Sequence, residues 1–477
     1  MMQRSRCIPL ATRMARLRHT RRSNRRGSVI VIVIWALAIA SLIVGTLQIF
    51  SYRQSMLGRE VQDRIQARWA ARAGIEQSIS VMAYHTQWPM PGDAMAMIRD
   101  LEYVAYDELL NAEYDIRHHV DGRNLLGPMD EHAKYNVNHV DGELLMLLPN
   151  MTPDVAHSML DWIDEGEEPR MFGAGPEWYR ARGLGYEPRH VPFRSLAEIE
   201  LVAGVWPRYF RGEDWNLNYR LDPNENDGGY TWPDDDGNDI LDQGWSGVMT
   251  VYSRRHGVTD SGWPRIPLRD TEPEVLVERL DVTEEQAQVL MQFAMTDNAN
   301  LARLLIVPLN ELAGGGGGQG DRQQGRRRGV GGRSQQGGVG GRSQGGVEPL
   351  TLDQLRRIFA ETSIEDPEQN APGKINLNTV SPRLLRELMP GRERLADEII
   401  ALRANRREGI SSLVDLLDIP GITEEDLQFI GRYMDVYTNV MTIPSRGRSD
   451  GTGLEVEIIA VVDRSTVPIR IIEYREQ

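Results

Sequence analysis

The sequence predicts an α+β protein in which a long N-terminal membrane-spanning helix lies on an antiparallel sheet, with a large α-helical region inserted into the chain of that sheet. Three observations predict this fold class. An uncharged apolar run extends from Val29 to Phe50, three central segments share a helical-hairpin layout, and three β-rich runs lie close to the C-terminus.

The apolar run is long enough to cross a membrane. Its 22 residues include only Ser41, Thr46 and Gln48 as polar side chains, and a helix of that length spans about 33 Å. A buried core helix and a cleaved signal are the alternatives, but the apolar region of a signal usually has only about 7–15 residues. Nine Arg and no acid precede the run, which predicts a cytoplasmic N-terminus and a body on the other side of the membrane.

The charge of the body limits its partners. The 477 residues carry 54 Lys and Arg against 69 Asp and Glu, a net charge of −15. Because the charged residues of the N-terminal stub are all basic, the rest of the chain is more acidic than this average. An acidic body would repel phosphate, so no nucleic-acid partner is expected. The single cysteine, Cys7, lies in the stub, which excludes disulfides and thiolate zinc sites from the body.

The junction between stub and apolar run resembles the prepilin-peptidase site of type IV pilin-like proteins. Gly27 and Ser28 separate a basic leader from an apolar helix, and apolar residues continue at helical spacing as far as Met82. The resemblance implies cleavage between Gly27 and Ser28; an uncleaved signal anchor is the alternative. The fifth mature residue would be Ile32, where most pilins and pseudopilins have a glutamate that pairs with a neighbouring subunit's N-terminal amine.

Three central segments repeat one layout. Residues 135–138 and 375–379 are Asn-rich starts, each followed by a Leu-rich stretch, a Pro-containing turn and a second apolar-periodic stretch, and a decayed copy begins at 265–268. The first and third copies share a tail, at residues 193–199 and 410–416. We expect Asn and Thr to cap helices and the turns to reverse the chain, which predicts helical hairpins rather than strands.

These units resemble helix-hairpin-helix (SAM-like) modules, including those of DNA-uptake competence proteins. A DNA-binding hairpin offers glycine amides to phosphate at a helix N-terminus. The turn at 149–152 has no glycine, and the turn at 390–393 has one glycine beside the carboxylate of Glu393. A structural hairpin is therefore favoured over DNA contact.

The order of these features resembles that of type II secretion system protein K, a minor pseudopilin. The Asn-x-Asn starts, the stretch at 160–164, the segment from Tyr186 to Phe193 and the absence of an acid at Ile32 carry the resemblance, which covers nearly the whole chain except 314–346. It implies an inner-membrane anchor, a periplasmic body on a pilin-like sheet, prepilin peptidase as processing enzyme, and other minor pseudopilins and the pseudopilus as partners. Calcium binding is also a property of this family.

The remaining segments complete the predicted organisation. Strands are expected at 114–120, 436–443, 454–462 and 469–474, and the glycine-rich stretch is expected to be a disordered loop. The predicted domains are a leader (1–27), a transmembrane segment (28–50), an amphipathic helix with the first sheet elements (51–130), an inserted helical region with acidic loops at 214–242 (131–313), the glycine-rich loop (314–346), a second helical unit (347–435) and C-terminal strands (436–477).

Two acidic loops have the spacing of calcium-binding loops, in which six to eight oxygens surround the ion. In the first, oxygen-bearing side chains stand at positions 1, 3, 5, 9 and 12, namely Asp214, Asn216, Asn218, Asp222 and Glu225. Its sixth position, usually glycine, is Tyr219, so the sharp turn is not itself predicted. In the second, Asp234, Asp236, Asn238 and Asp242 repeat positions 1, 3, 5 and 9, while Trp245 replaces the closing glutamate. Solvated acidic loops are the alternative.

The sequence contains no metalloprotease pattern and no cysteine nucleophile in the body, so no enzymatic activity is expected. The predicted function is that of a minor pseudopilin at the tip of a periplasmic pseudopilus, needed for protein export across the outer membrane. A membrane-anchored DNA-binding protein is the alternative, and a calcium-stabilised surface adhesin is a third.

Overall fold

The computed structural model describes residues 26–477 except 167, 256, 258, 260–262, 297–298, 314–346, 365–371 and 467. The predicted basic stub up to residue 25 and the glycine-rich loop at 314–346 therefore lie outside the described residues. The chain forms two compact units, Met1–Gln62 and Asp63–Gln477.

Fourteen helices are present in the described residues: α1 Arg26–Gln87, α2 Ala96–Tyr103, α3 Gly142–Leu145, α4 Pro153–Ile163, α5 Pro176–Ala181, α6 Leu196–Ile199, α7 Pro207–Phe210, α8 Pro273–Leu280, α9 Glu284–Ala294, α10 Leu309–Ala313, α11 Leu352–Glu361, α12 Pro382–Leu388, α13 Glu393–Asn405 and α14 Glu424–Tyr433. The strands of the same residues are β1 Tyr106–Leu109, β2 Ala112–Val120, β3 Arg123–Leu126, β4 Met129–Asp130, β5 Tyr135–Asn136, β6 Met249–Thr250, β7 Ile266–Pro267, β8 Thr362–Ser363, β9 Ile375–Asn376, β10 Met434–Asp435, β11 Val440–Ser449, β12 Glu455–Asp463 and β13 Arg470–Glu476.

Helix α1 changes character along its length. Within the first unit its apolar side chains, from Val29 to Phe50, are exposed, and over Val29–Gln87 it is the one helix of the described residues that is long and apolar enough to cross a membrane. Within the second unit a stripe of small and apolar side chains is buried against the sheet: Ala67, Ala70, Ala71, Ile75 and Met82. The predicted transition from apolar to amphipathic helix is present.

The sheet is an antiparallel meander built from both ends of the body. Its strands run in the order β1-β2-β11-β12-β13, with β3 paired to β2 and β4 paired to β11. The predicted runs at 454–462 and 469–474 correspond to β12 and β13, and the predicted strand at 114–120 lies within β2. The predicted run at 436–443 overlaps only the start of β11, which begins at Val440 and extends to Ser449. Met441 of β11 lies opposite Asp130 of β4, so the inserted region leaves and rejoins the sheet at neighbouring positions. The predicted α+β class is confirmed.

The inserted region contains the three predicted units, each with a helix, a left-handed turn residue and a second helix. The turn residues are Asn150 (φ 60°) between α3 and α4, Asp281 (φ 57°) between α8 and α9, and Gly391 (φ 77°) between α12 and α13. Asn, Asp and Gly are the residues that adopt this conformation most readily. A separate apolar core, which includes Trp162, Leu290 and Leu385, holds the units together.

The units are not purely helical, which corrects the expectation from the sequence. Each begins in a two-residue strand that pairs in parallel with a later segment: β5 with β6, β7 with β8, and β9 with β10. Pairs this short have no sequence signal of their own, since two residues cannot show a period-two alternation.

The Asn-x-Asn residues do not cap the helices, which is a second correction. The caps are Asp141 for α3 and Ser381 for α12. The second Asn instead fastens the start of its unit to its tail through both side-chain amide atoms. Asn378 accepts from the Ile410 N–H (2.7 Å) and donates to the Ile410 carbonyl (2.9 Å). Asn138 makes the same two bonds to Phe193, at 2.8 and 3.1 Å.

Candidate calcium loop and membrane anchor

The first acidic loop gathers all five predicted donors in one turn after α7. Asp214, Asn218 and Glu225 are buried, and Asn216 and Asp222 are partly buried. Tyr219, in the place where glycine was expected, adopts the left-handed conformation with φ 62°. Burial of its ring, with the Lys134 amine 4.4 Å from the ring centroid, offsets the backbone cost of about 1–2 kcal/mol. The sharp turn therefore forms without glycine.

Backbone amides hold the two buried carboxylates of this loop. Asp214 accepts from the N–H groups of Asn218 (2.9 Å) and Tyr219 (3.0 Å). Glu225 accepts from the N–H of Trp215 at 3.1 Å and from the N–H of Asp222 at 3.2 Å. Position 12 is thus tied back to positions 2 and 9, which closes the loop.

The Asp222 carboxylate accepts hydrogen bonds from three side chains. Its Oδ2 accepts from Asn216 Nδ2 at 2.9 Å and from Asn218 Nδ2 at 2.8 Å, and its Oδ1 accepts from Arg446 Nη2 at 2.9 Å. Rotation of an Asn side chain by half a turn exchanges its nitrogen for its oxygen. That exchange would cost each Asn the backbone hydrogen bond that its oxygen accepts, which comes from the Asn218 N–H for Asn216 (2.9 Å) and from the Arg220 N–H for Asn218 (2.8 Å).

Burial dominates the electrostatics of the loop. Burial raises the pKa of Asp214 to about 7. Burial, together with the charges of Asp214 and Asp222, raises the pKa of Glu225 to about 8. A bound divalent cation would favour the ionised form of both groups. The donor set, which consists of hard oxygens alone, fits calcium.

The second loop is organised by residues that the sequence reasoning missed. Asp234, Asp236, Asn238 and Asp242 are all exposed. The backbone is instead held by Asp235, which accepts from the N–H groups of Gly228 and Gly237, each at 2.8 Å. Glu213 accepts from the N–H groups of Asp236 (3.3 Å) and Asp242 (2.9 Å). The signal in the sequence was only the run of acids, which does not show which of them turns inward.

Across the part of the chain that the structure describes, no three His, Cys, Asp or Glu side chains are grouped as they would be around a metal ion. A cation at the first loop would therefore need the Asn and backbone oxygens as well as the carboxylates. The second loop, with exposed donors and no closing glutamate, is the weaker of the two candidates.

The two residues of the predicted processing site lie at the start of α1. Gly27 and Ser28 are in its first turn, and Ile32 follows one turn later with its side chain exposed. No charged side chain occurs between Val29 and Phe50, so a membrane could cover this part of the helix at no cost in buried charge.

The hairpin turns are poorly suited to phosphate. The N–H of Gly391, the glycine amide of the third turn, donates to Oε1 of Glu393 at 3.0 Å. A later Pro-Gly turn at 420–421, which the sequence reasoning did not single out, precedes α14, where Thr423 N–H donates to Asp426 at 3.0 Å. Carboxylates thus occupy the positions where a DNA phosphate would have to bind.

An apolar N-terminal helix that continues onto an antiparallel sheet defines the class as a membrane-anchored, pilin-like protein with an inserted helical region. Residues 134–212, which include the first helical unit and its tail, match the family model of type II secretion system (T2SS) protein K. This segment is similar to protein K of the type II secretion system, which confirms the resemblance seen in the sequence. Because protein K is a structural component of a secretion apparatus, the expectation of no enzymatic activity is confirmed as well.

Two further comparisons were made. Among the curated proteins, none matches this sequence. Among solved structures, the chain is similar to one in the crystal structure of the GspK-GspI-GspJ complex from the type 2 secretion system of enterotoxigenic Escherichia coli. The identity is 10%, the TM-score is 0.43, and the alignment covers 88% of this chain and 99% of that chain.

Proposed function

We propose that the protein is a minor pseudopilin that occupies the tip of a periplasmic pseudopilus and is needed for protein export across the outer membrane. The observation that carries the proposal is the protein K segment at 134–212, inserted in a sheet that packs on a helix with an apolar, exposed N-terminal part. The helix anchors the chain in the inner membrane, with its basic N-terminus cytoplasmic and its body periplasmic.

The tip position is supported by Ile32. A glutamate in an apolar filament core is costly unless it meets a neighbour's amine, and the chain has an isoleucine at this place. A subunit without the acid has no partner to offer to a subunit on its membrane-distal side, so the end of the filament suits it. The bulky inserted region would also obstruct the addition of a subunit above it.

The proposed partners are other minor pseudopilins. The outer face of α1 carries exposed apolar side chains beyond the membrane segment, among them Ile65 (50% exposed) and Trp69 (60% exposed). A helix face of this kind is typical of a surface that packs against another helix. Prepilin peptidase acts on the chain first, between Gly27 and Ser28.

The tip proposal is tested by secretion and by position. Deletion of the gene should leave the secreted cargo in the periplasm, and the full-length gene should restore export. A cysteine in place of Trp69 should crosslink to other minor pseudopilins, and gold labels should lie at filament ends. Labels along the shaft, or normal export in the deletion strain, would contradict the proposal.

Calcium is proposed as a structural cofactor of the first loop. Asp214, Asn216, Asn218, Asp222 and Glu225 would hold the ion, which would supply charge neutralisation to two buried carboxylates and order to the turn. For the second loop, Asp234, Asp236, Asn238 and Asp242 would contribute a weaker site. Extracytoplasmic calcium would fill even a site with a dissociation constant of about 10⁻⁴ M.

A further inference from the structure

The first acidic loop is docked onto the sheet by two arginines. Arg220, at the seventh loop position, lies 3.0 Å from Asp115 of β2 through Nη1 and 2.9 Å from Glu457 of β12 through Nε. Arg446 of β11 reaches the loop from the other side, where Nη2 lies 2.9 Å from Asp222 Oδ1. Loop and sheet therefore share one network of charges.

Arg446 has other partners within reach. Its Nη1 lies 3.4 Å from Glu455 and its Nε lies 3.6 Å from Glu457. Glu457 also accepts from Asn218 Nδ2 at 2.9 Å, so the same buried carboxylate contacts an arginine and a loop donor. The guanidinium can leave Asp222 and remain paired with the sheet, because both acids are on the adjacent strand β12.

We propose that Arg446 is a resident counter-cation of the acidic loop, which holds the Asp222 carboxylate in the absence of metal and competes with calcium for it. This inference rests on the calcium binding proposed above. Calcium entry requires the Asp222 carboxylate, and the ion and the guanidinium repel each other at this distance. Arg446 thus keeps the loop docked without metal and lowers its calcium affinity.

The consequence for specificity is direct. Because a cation must displace Arg446 to bind, the site discriminates against cations that interact weakly with the Asp222 carboxylate. A divalent ion gains more from the carboxylate than a monovalent ion does, so sodium and potassium should not release Arg446. The loop would then respond to calcium at extracytoplasmic concentrations and ignore the salt around it.

The experiment compares calcium affinities of the full-length protein in detergent by isothermal titration calorimetry. Arg446→Met removes the competitor and should tighten calcium binding about tenfold, while the melting temperature in EDTA should fall. Arg448→Met is the matched control on the same strand, since Arg448 is 56% exposed and its ion-pair partner is Glu113 at 3.7 Å. The control should leave the dissociation constant unchanged.

A second variant keeps the test decisive if Arg446→Met does not fold. Glu455 is 46% exposed and pairs with Arg446, so the Glu455→Gln variant should fold. Its neutral side chain should bind Arg446 less well, which should strengthen the ion pair between Arg446 and Asp222. Calcium binding should weaken about twofold to threefold relative to Glu113→Gln, which removes a nearby acid without touching Arg446. Unchanged or opposite shifts would overturn the competition. A wild-type protein and an Arg446→Met variant that both fail to bind calcium would instead remove the proposed calcium site.

Discussion

Gly447 of β11 lies directly against Ala71 of α1: a Cβ on Gly447 would be 2.5 Å from the Ala71 backbone nitrogen and would overlap the Ala67 carbonyl oxygen. The contact is matched from the helix side, where a Cβ on Gly74 would lie 2.6 Å from Ser445 Oγ. Two glycines, one on each element, thus set the distance between helix and sheet.

This contact predicts that Gly447→Ala destabilises the body. The added methyl meets backbone atoms, which cannot rotate away, so helix and sheet must separate, at a cost of about 1–3 kcal/mol. Urea unfolding of the full-length protein in detergent measures the change. Gly185→Ala is the control, since nothing lies within 4 Å of its added Cβ, and equal stability of the two variants would refute the role of Gly447.

The acidic loop predicts that calcium stabilises the protein. Calcium bound by the folded state alone should raise the free energy of unfolding by about 2.7 kcal/mol at a hundredfold excess over the dissociation constant. Glu225→Ala should remove most of the rise in melting temperature because it removes the closing carboxylate. Glu278→Ala, on the exposed side of α8, should leave the rise intact. A melting temperature that is the same in EDTA and in millimolar calcium would leave the loop an acidic turn.

His118 predicts a loss of stability in mild acid. Its Nδ1 lies 2.9 Å from the Gly127 carbonyl oxygen, and burial, together with the charges of Lys134 and Arg220, lowers its pKa to about 4. The unfolded chain has an ordinary histidine pKa near 6.5, so stability is complete above that value and falls as the pH drops towards 4. The full loss is about 3 kcal/mol for this group.

The measurement is the free energy of unfolding between pH 7 and pH 4.5. His118→Asn should remove one histidine's contribution to the slope in this window. His139, whose pKa burial also lowers to about 4, contributes in the same direction, whereas Asp214 and Glu225, with pKa values raised to about 7 and about 8, contribute in the opposite direction. The comparison is between slopes, so a change in absolute stability does not affect it. An unchanged slope would show that His118 takes up its proton in the folded state.

Asn378 and Asn138 each join the start of a helical unit to its tail by two hydrogen bonds. These contacts predict two independent losses of stability. Asn378→Asp keeps the acceptor for the Ile410 N–H but sets a carboxylate against the Ile410 carbonyl, which should cost about 1–3 kcal/mol. Asn138→Asp should act alike at Phe193. The two costs should add in the double variant, because the residues belong to different units. A double variant no less stable than either single one would contradict two separate contacts.

The leader predicts a processed N-terminus. Mass spectrometry of the membrane-bound protein should find Ser28 as its first residue, and Gly27→Leu should leave the arginine-rich stub attached, since a side chain at this place obstructs the peptidase. A wild-type protein that keeps the stub would show that the chain is an uncleaved anchor.

The sequence predicted the elements with long periodic signals and missed those made by distant pairing. The apolar run, the strands at both ends and the hairpin turns at Asn150 and Gly391 all have local patterns, and each was predicted. The two-residue parallel strand pairs and the hydrogen bonds of Asn138 and Asn378 join residues that are far apart in the chain, so no local sequence pattern predicts them. For the same reason, the spacing of the Asp214 loop indicated its five donors but not Arg446, which comes from a strand more than two hundred residues later.

The pairing of Met441 with Asp130 brings the two ends of the insertion together, so the insertion could be removed or replaced by engineering. Because residues 131–440 begin and end at adjacent points of one sheet, the whole segment is a detour that a shorter chain could omit by joining β4 to β11 directly. Domain insertions succeed where the two ends meet in this way. The junction of β4 and β11 is therefore the place where a designer could remove the insertion or graft a different domain onto the sheet.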